Sequence, residues 1–444
     1  MPHPTAHAAP ADAAPDAAPA ALGPRFRALL ASTTLANLAD GVVQAAVPLL
    51  ALTLTRSPGL IALVTAATWL PWLLLGLLGG VVVDRTDRRR VQVVALAARA
   101  ALLVAAAVLV AAGGMSVPAL VALVLLYGAT DVLVDLAESA LVPDLVPRSR
   151  LQAANGRVVA AQHVAGTFVG GPVGGLLVAV GAGWAFGLPA ALAVLAALAL
   201  LRGVPGRYRQ ARPADGDGPD ARGLRGPLRD VAEGVGFLVR HPVLRPLLIS
   251  GSLVNMCFTG YTAVLVLWVV GEGSRVGMPP AAYPLLGVAL AVGAVAGSFA
   301  AEGAVRRVGE VRLLLGCWVA MAALLVVPVL APHPLAIGGA FLAVGLTNSI
   351  ANVLSQSMRQ RLVAPSMLGR VGGAGRTLAY GLMPLGALLA GAAAERWGLA
   401  PVLLGATGLS LVALAPSLLR VRQRAVDAAE PAAPGAPTTP APPA

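Results

Sequence analysis

Twelve runs of apolar residues, separated by short polar connections, dominate the chain. They lie at about 28–54, 59–83, 91–112, 116–140, 156–180, 184–202, 244–270, 281–303, 311–331, 334–358, 371–394 and 399–420. A helix needs about 20 apolar residues to cross a hydrocarbon core about 30 Å thick, and each run is close to that length or beyond it. Continuous apolar runs predict helices, because barrel strands would alternate apolar and polar positions. The longest polar stretch, 203–243, leaves six runs before it and six after. Within it, Leu224, Leu228, Val231, Val235 and Leu238 recur at helical spacing. That spacing predicts an amphipathic helix over Leu224 to Arg240, lying on the membrane surface. Residues 1–24 and 423–444 are rich in Ala, Pro and Thr and are expected to be disordered tails. The expected organisation is two six-helix halves, 25–202 and 244–422, joined by the central loop.

Composition narrows the function classes. Of 444 residues, 57% are apolar and 12% are charged. A soluble globular chain carries about 25% charged residues, so a soluble enzyme is excluded. No polar stretch is long enough for a second domain. The two cysteines, Cys257 and Cys317, sit inside apolar runs without a CxxC or Cys/His cluster, so neither a disulfide framework nor a metal site is expected. Without lysine the chain cannot hold a Walker loop, and no cofactor is expected. The first 22 residues contain no basic residue, and no signal peptide is expected.

The net charge is +12, and all 32 basic residues are arginine. Nucleic acid is one partner for a basic chain. Here the arginines cluster in alternate connections between apolar runs, which is the pattern of membrane orientation. With the N-terminus inside, only Arg56, Arg275 and Arg396 fall in outer connections. Both termini are therefore expected to be cytoplasmic, in a bacterial inner membrane, with no nucleic-acid partner.

The halves carry traces of a repeat. At an offset of 218, Gly79, Asp84, Arg88 and Arg89 fall on Gly297, Glu302, Arg306 and Arg307. At an offset of 217, Leu145, Val146, Ser149 and Leu151 fall on Leu362, Val363, Ser366 and Leu368. Both sets lie in corresponding connections, after runs 2 and 8 and after runs 4 and 10.

Gly80, Asp84, Arg85, Arg88 and Arg89, in the connection after the second run, resemble the signature loop of the major facilitator superfamily, Gly-x-x-x-Asp-Arg-x-Gly-Arg-Arg/Lys. Asp87 stands where the second glycine is usual. Gly166, Gly170, Gly171, Pro172 and Gly175, in the fifth run, resemble the antiporter signature of drug exporters, with spacings that differ by a residue. The stretches from Val142 to Arg148, Leu151 to Asn155 and Leu368 to Val371 are similar to the enterobactin-exporter and macrolide-efflux branch. The resemblance covers roughly residues 25–422. It implies an all-α polytopic fold of twelve transmembrane helices in two pseudo-symmetric halves built as a parallel repeat. It implies that spans 1, 4, 7 and 10 line a central cavity and that spans 3, 6, 9 and 12 face lipid. It further implies an inner gate latch at the signature loop, a bias to export, and a monomer. One departure is the absence of a span 4 arginine; that span carries acids.

Ionisable residues inside a membrane span are costly and mark function. Asp40 lies about 12 residues into span 1, about 18 Å deep at 1.5 Å per residue. Asn37 and Gln44 extend it into one polar stripe. Asp131, Asp135 and Glu138 share a face of span 4. Mutual repulsion favours proton uptake by at least one of them, while Asp135 and Glu138 could instead reach the inner interface. Arg99, Arg157 and Arg376 are candidate charge partners. His163 suits proton relay, since an ordinary imidazole titrates near neutrality; a hydrogen-bonded core histidine is the alternative. Asn348, Asn352 and Gln356 form an uncharged stripe in span 10.

The expected function is secondary active transport: export of a small amphipathic compound (a drug, an antibiotic or a siderophore-like molecule) driven by protons. The expected partners are the bilayer, the small-molecule substrate and protons. Import of a small metabolite is a second reading, and a non-transporting receptor or scaffold a third. A membrane enzyme lacks a nucleophile–base pair or a metal cluster.

Overall fold

The computed structural model describes residues 22–209, 225–364 and 367–429. Twelve helical spans are long and apolar enough to cross a membrane. They are Pro24–Leu54, Pro58–Arg85, Arg88–Ala111, Val117–Leu145, Arg148–Val180, Trp184–Gly203, Leu244–Val269, Pro280–Val308, Glu310–Leu330, Pro334–Leu362, Arg370–Trp397 and Leu399–Arg420. The described residues form no strand, only a single bridge between Val270 and Met278. With twelve crossings, both described ends of the chain lie at the same face of the bundle.

Local chemistry sets where the spans begin. Ser57 and Ser116 accept hydrogen bonds from Leu60 N–H and Ala119 N–H, each ahead of a proline that tolerates the first helical turn. Asp87 accepts from Arg90 N–H at 3.3 Å and starts span 3. In span 5 the ladder widens to a π-helix over Val164–Gly170, just before Pro172, whose ring removes a backbone donor.

Lipid solvates the outside. Leu74, Val108, Val180, Phe299, Leu335 and Val412 all point outward and are more than half exposed. Apolar side chains belong there, because lipid offers no hydrogen-bond partner. Between spans the packing uses small residues. A methyl group on Gly41 would overlap the Gly166 carbonyl, and one on Gly170 would reach the Leu38 carbonyl at 2.7 Å. Spans 1 and 5 thus touch backbone to backbone. In the other half, Gly293 and Gly345 bring spans 8 and 10 together in the same way.

The halves meet at the end away from the termini. Glu395 of span 11 accepts from Ser57 Oγ at 2.5 Å and from Gly59 N–H at 3.1 Å, at the start of span 2. Arg56 donates to the Val270 carbonyl at 3.3 Å. Gly175 of span 5 lies against Pro284 of span 8. The structure is closed at that end.

Two differences from the sequence reading stand out, both at the ends of the described chain. The first span starts at Pro24, because Leu22 and Phe26 pack into the core beside spans 3 and 6. The central segment does contain a helix, Arg225–Arg240, ahead of span 7; residues 210–224 lie outside the described residues. The tail expected at 423–444 begins with a helix, Gln423–Ala429, held by Val426, which is fully buried, and by Gln423, which accepts from Val311 N–H at 3.4 Å. Most of the N-terminal tail and residues 430–444 lie outside the described residues.

Candidate functional site

Span 1 is surrounded by spans 2, 4, 5 and 6. Its uncovered face carries Asn37, Asp40 and Gln44, so that face borders the space between the halves rather than lipid. Asn37 is tied locally, donating to the Thr33 carbonyl at 2.9 Å. Gln44 is exposed and has no hydrogen-bond partner among the described residues.

Asp40 is the centre of a charge cluster built by three spans. Arg99 of span 3 is completely buried and places Nη1 2.6 Å from Asp40 Oδ1. Its Nη2 lies 3.0 Å from Asp131 Oδ1 of span 4. Its Nε donates to Thr130 Oγ1 at 3.2 Å, and Thr130 donates to the Tyr127 carbonyl at 2.6 Å. Tyr127 donates its hydroxyl to the same Asp40 oxygen and lays its ring 4.8 Å from the guanidinium. The guanidinium is thus held by two carboxylates, a hydroxyl and an aromatic face.

The arrangement has a direct chemical consequence. Arginine keeps its proton at any attainable pH, so only the carboxylates can titrate. Two carboxylates around one guanidinium leave one negative charge uncompensated in a low-dielectric setting, where that is costly. A proton, or the cationic group of a bound molecule, restores neutrality. Asp131 is the accessible partner, at 35% side-chain exposure against 13% for Asp40.

The other span 4 acids differ in their surroundings. Glu138 is buried in protein rather than open to solvent: Thr33 Oγ1 donates to it at 2.6 Å and Gln162 Nε2 at 3.1 Å. The same face of span 4 that brings Asp131 to Arg99 carries Glu138 to Thr33 of span 1. Asp135 is half-buried, has no hydrogen-bond partner among the described residues, and feels the charge of Arg376 from span 11 without an ion pair between them. Arg157 and His163 are exposed and have no polar partner among the described residues. Asn348 is half-buried and Asn352 exposed, also without partners there. Trp69 and Trp72 of span 2 meet Tyr380 of span 11 at ring-centroid distances of 5.9 and 6.3 Å.

The signature loop is anchored inside the first half. Arg88 pairs with Asp144 at 2.7 Å and donates to the Ala140 carbonyl at 3.1 Å. Arg89 donates to the Leu201 carbonyl at 2.8 Å, and the Arg85 carbonyl accepts from Arg209 at 3.0 Å. Gly80 has open space around it, and the Asp84 side chain lies outside the described residues. In the antiporter-like stretch, Gly166 and Gly170 face span 1, whereas Gly171 and Gly175 face Pro284. Pro172 follows the π segment.

Sequence reasoning missed Tyr127, Thr130, Thr33 and the aromatic group around Tyr380. The cue for the first two was present: Tyr127, Thr130 and Asp131 fall within about one helical turn, so their side chains emerge on one face.

A family model described as Major Facilitator Superfamily matches residues 29–387. The multidrug efflux pump Tap of Mycobacterium tuberculosis is 31% identical over 412 residues, covering 90% of this chain and 93% of that protein. The enterobactin exporter EntS of Shigella boydii is 27% identical over 421 residues, covering 90% and 94%. Among solved structures, the nucleoside transporter NupG (D323A mutant) superposes with a TM-score of 0.66 at 13% identity, covering 90% of this chain and all of that one. A bacterial homologue of the human lysosomal transporter Spinster, inward-facing and unoccupied, gives 0.65 at 15% identity, covering 91% and 98%.

Proposed function

The chain belongs to the major facilitator superfamily, and on that premise we propose that it exports a small amphipathic compound in exchange for protons by alternating access. That it is a multi-pass membrane transporter of a small molecule follows from the family itself. The observation that carries the finer reading is the guanidinium of Arg99 held between Asp40 and Asp131.

In the proposed cycle, the termini lie in the cytoplasm of a bacterium and the protein sits in its inner membrane, as the arginine distribution favours. The state described here is then closed to the outside. A compound entering from the cytoplasm meets Asn37, Asp40 and Gln44 from one half and Asn348 and Asn352 from the other. The uncompensated carboxylate attracts its polar or cationic part, and the aromatic group around Tyr380 receives apolar surface. Rocking of the halves exposes the site outside, and a proton on Asp131 replaces the compound. Both cargoes satisfy the same charge deficit, so their binding is mutually exclusive, which is what exchange requires. The similarity to Tap, an efflux pump, and EntS, an exporter, supports the direction. No resident cofactor enters the cycle; the proton gradient supplies the energy.

The test is efflux of lipophilic fluorescent dyes and antibiotics from cells making wild type or Asp40→Asn, with and without a protonophore. Extrusion abolished by both supports the reading. Extrusion that survives Asp40→Asn moves the coupling to Asp131 or Asp135. Uptake driven by the gradient, with no extrusion, establishes import instead.

A further inference from the structure

Where the surface helix Arg225–Arg240 meets span 11, we propose a binding site for the phosphate headgroup of an anionic lipid. A groove of about 730 Å³ opens there, bordered by Arg229, Glu233, Phe237, Arg240, His241 and Arg370. Among the described side chains that border it, three guanidiniums face one carboxylate, so positive charge is in excess there. Glu233 also organises them. Its Oε1 accepts from Arg229 Nε at 2.8 Å and its Oε2 from Arg370 Nη1 at 3.0 Å. Each guanidinium has five N–H donors in a planar fork, so the exposed Arg229 and Arg240 keep donors for a phosphate beyond the bond of Arg229 to Glu233.

His241 adds a donor. Its Nδ1 accepts from the N–H groups of Val243 at 3.2 Å and Leu244 at 3.1 Å, at the start of span 7. That ring nitrogen is therefore unprotonated, and Nε2 carries the proton. Burial lowers the pKa of His241 and keeps the ring in this form.

Position selects a lipid over a soluble phosphate. The surface helix ends four residues before Leu244, where span 7 begins, and rests on the first turns of span 11. Gly234 permits this: a methyl group there would overlap the Arg370 carbonyl. The groove therefore sits at headgroup level. Phe237 and Met367 border the arginines, and Val239 is 48% exposed on the same helix, so acyl carbon has apolar surface beside the charge. Basic sites between helices at this depth suit anionic headgroups. The inference is independent of transport direction and of proton coupling.

The experiment uses the purified full-length protein. Bound lipid is counted by native mass spectrometry during titration with phosphatidylglycerol or phosphatidylcholine. The expected result is a preference for phosphatidylglycerol that falls roughly 10- to 30-fold in Arg229→Gln/Arg240→Gln. Both side chains are exposed, so the fold tolerates the change. Glu233→Gln removes the competing carboxylate and is expected to preserve or strengthen the preference. Equal binding of the two lipids, or full retention by the double variant, overturns the proposal. Inorganic phosphate at millimolar concentration that displaces phosphatidylglycerol identifies a soluble-anion site and overturns the lipid assignment.

Discussion

Arg99→Gln tests the charge cluster most sharply. The wild-type guanidinium is fully buried and satisfies Asp40, Asp131 and Thr130 together. Glutamine removes the positive charge but keeps a polar side chain of shorter reach. Two carboxylates then remain inside the helical bundle with no cation. Removing one member of a buried ion pair costs about 3–5 kcal/mol, chiefly because the remaining charge is stranded. Asp131 is partly accessible, which places the expected cost at the lower end, about 3 kcal/mol. That corresponds to roughly a 100-fold shift between folded and unfolded states, since about 1.4 kcal/mol is tenfold. The assay is built into the chain. Cys257 and Cys317 are both buried and free, so a thiol-reactive dye reports unfolding as temperature rises. Arg99→Gln is expected to label well below the wild-type midpoint. Adding Asp40→Asn removes one stranded carboxylate and is expected to recover more than half of the loss, so the two changes are strongly non-additive. An Arg99→Gln protein that labels at the wild-type temperature, or a double variant whose losses simply add, refutes the reasoning.

Two further outcomes follow from contacts elsewhere. Glu395→Ala removes the two hydrogen bonds that join span 11 to the start of span 2, and should shift the population toward opening at that end by roughly 5- to 10-fold. Reactivity of Gln44→Cys toward a membrane-impermeant thiol reagent, applied from that side, reads the shift; an unchanged rate removes the latch role. Below about pH 6.5 the junction between the surface helix and span 7 should loosen. Burial lowers the folded-state pKa of His241, so the unfolded junction binds the proton more readily. Stability is then full above the ordinary imidazole pKa and declines as pH falls through it. Hydrogen-exchange protection factors at Val243 and Leu244 measure this, and His241→Asn, which keeps a capping acceptor, should abolish the pH dependence.

The spans were legible because lipid imposes one rule on every residue facing it, and that rule writes itself as apolar runs such as 184–202. The surface helix was legible through the spacing of Leu228, Val231, Val235 and Leu238. The helix at Gln423–Ala429 was not, because its surroundings are Ala/Pro-rich and its anchors, Val426 and Gln423, need tertiary partners. The site is a harder case. Asp40, Arg99 and Asp131 each stand out as charges in apolar runs, but which of three arginines meets which acid depends on the rotation of helices far apart in sequence. The depth of Glu138 depends on the same rotation. A shift of one position, about 100° around the helix, would change both partners and burial.

The intramembrane charge is unevenly shared. Asp40, Arg99, Asp131, Asp135 and Glu138 all belong to the first half, while the middle of spans 7, 8 and 10 offers neutral side chains such as Asn255, Asn348 and Asn352. Under the proposed exchange, one half would be the engine and the other the template. Substitutions in span 10 can redraw the inventory of accepted molecules while leaving the energy-transducing parts untouched. A lineage could therefore diversify its cargo by mutating one side of the molecule, with the ionic machinery inherited whole.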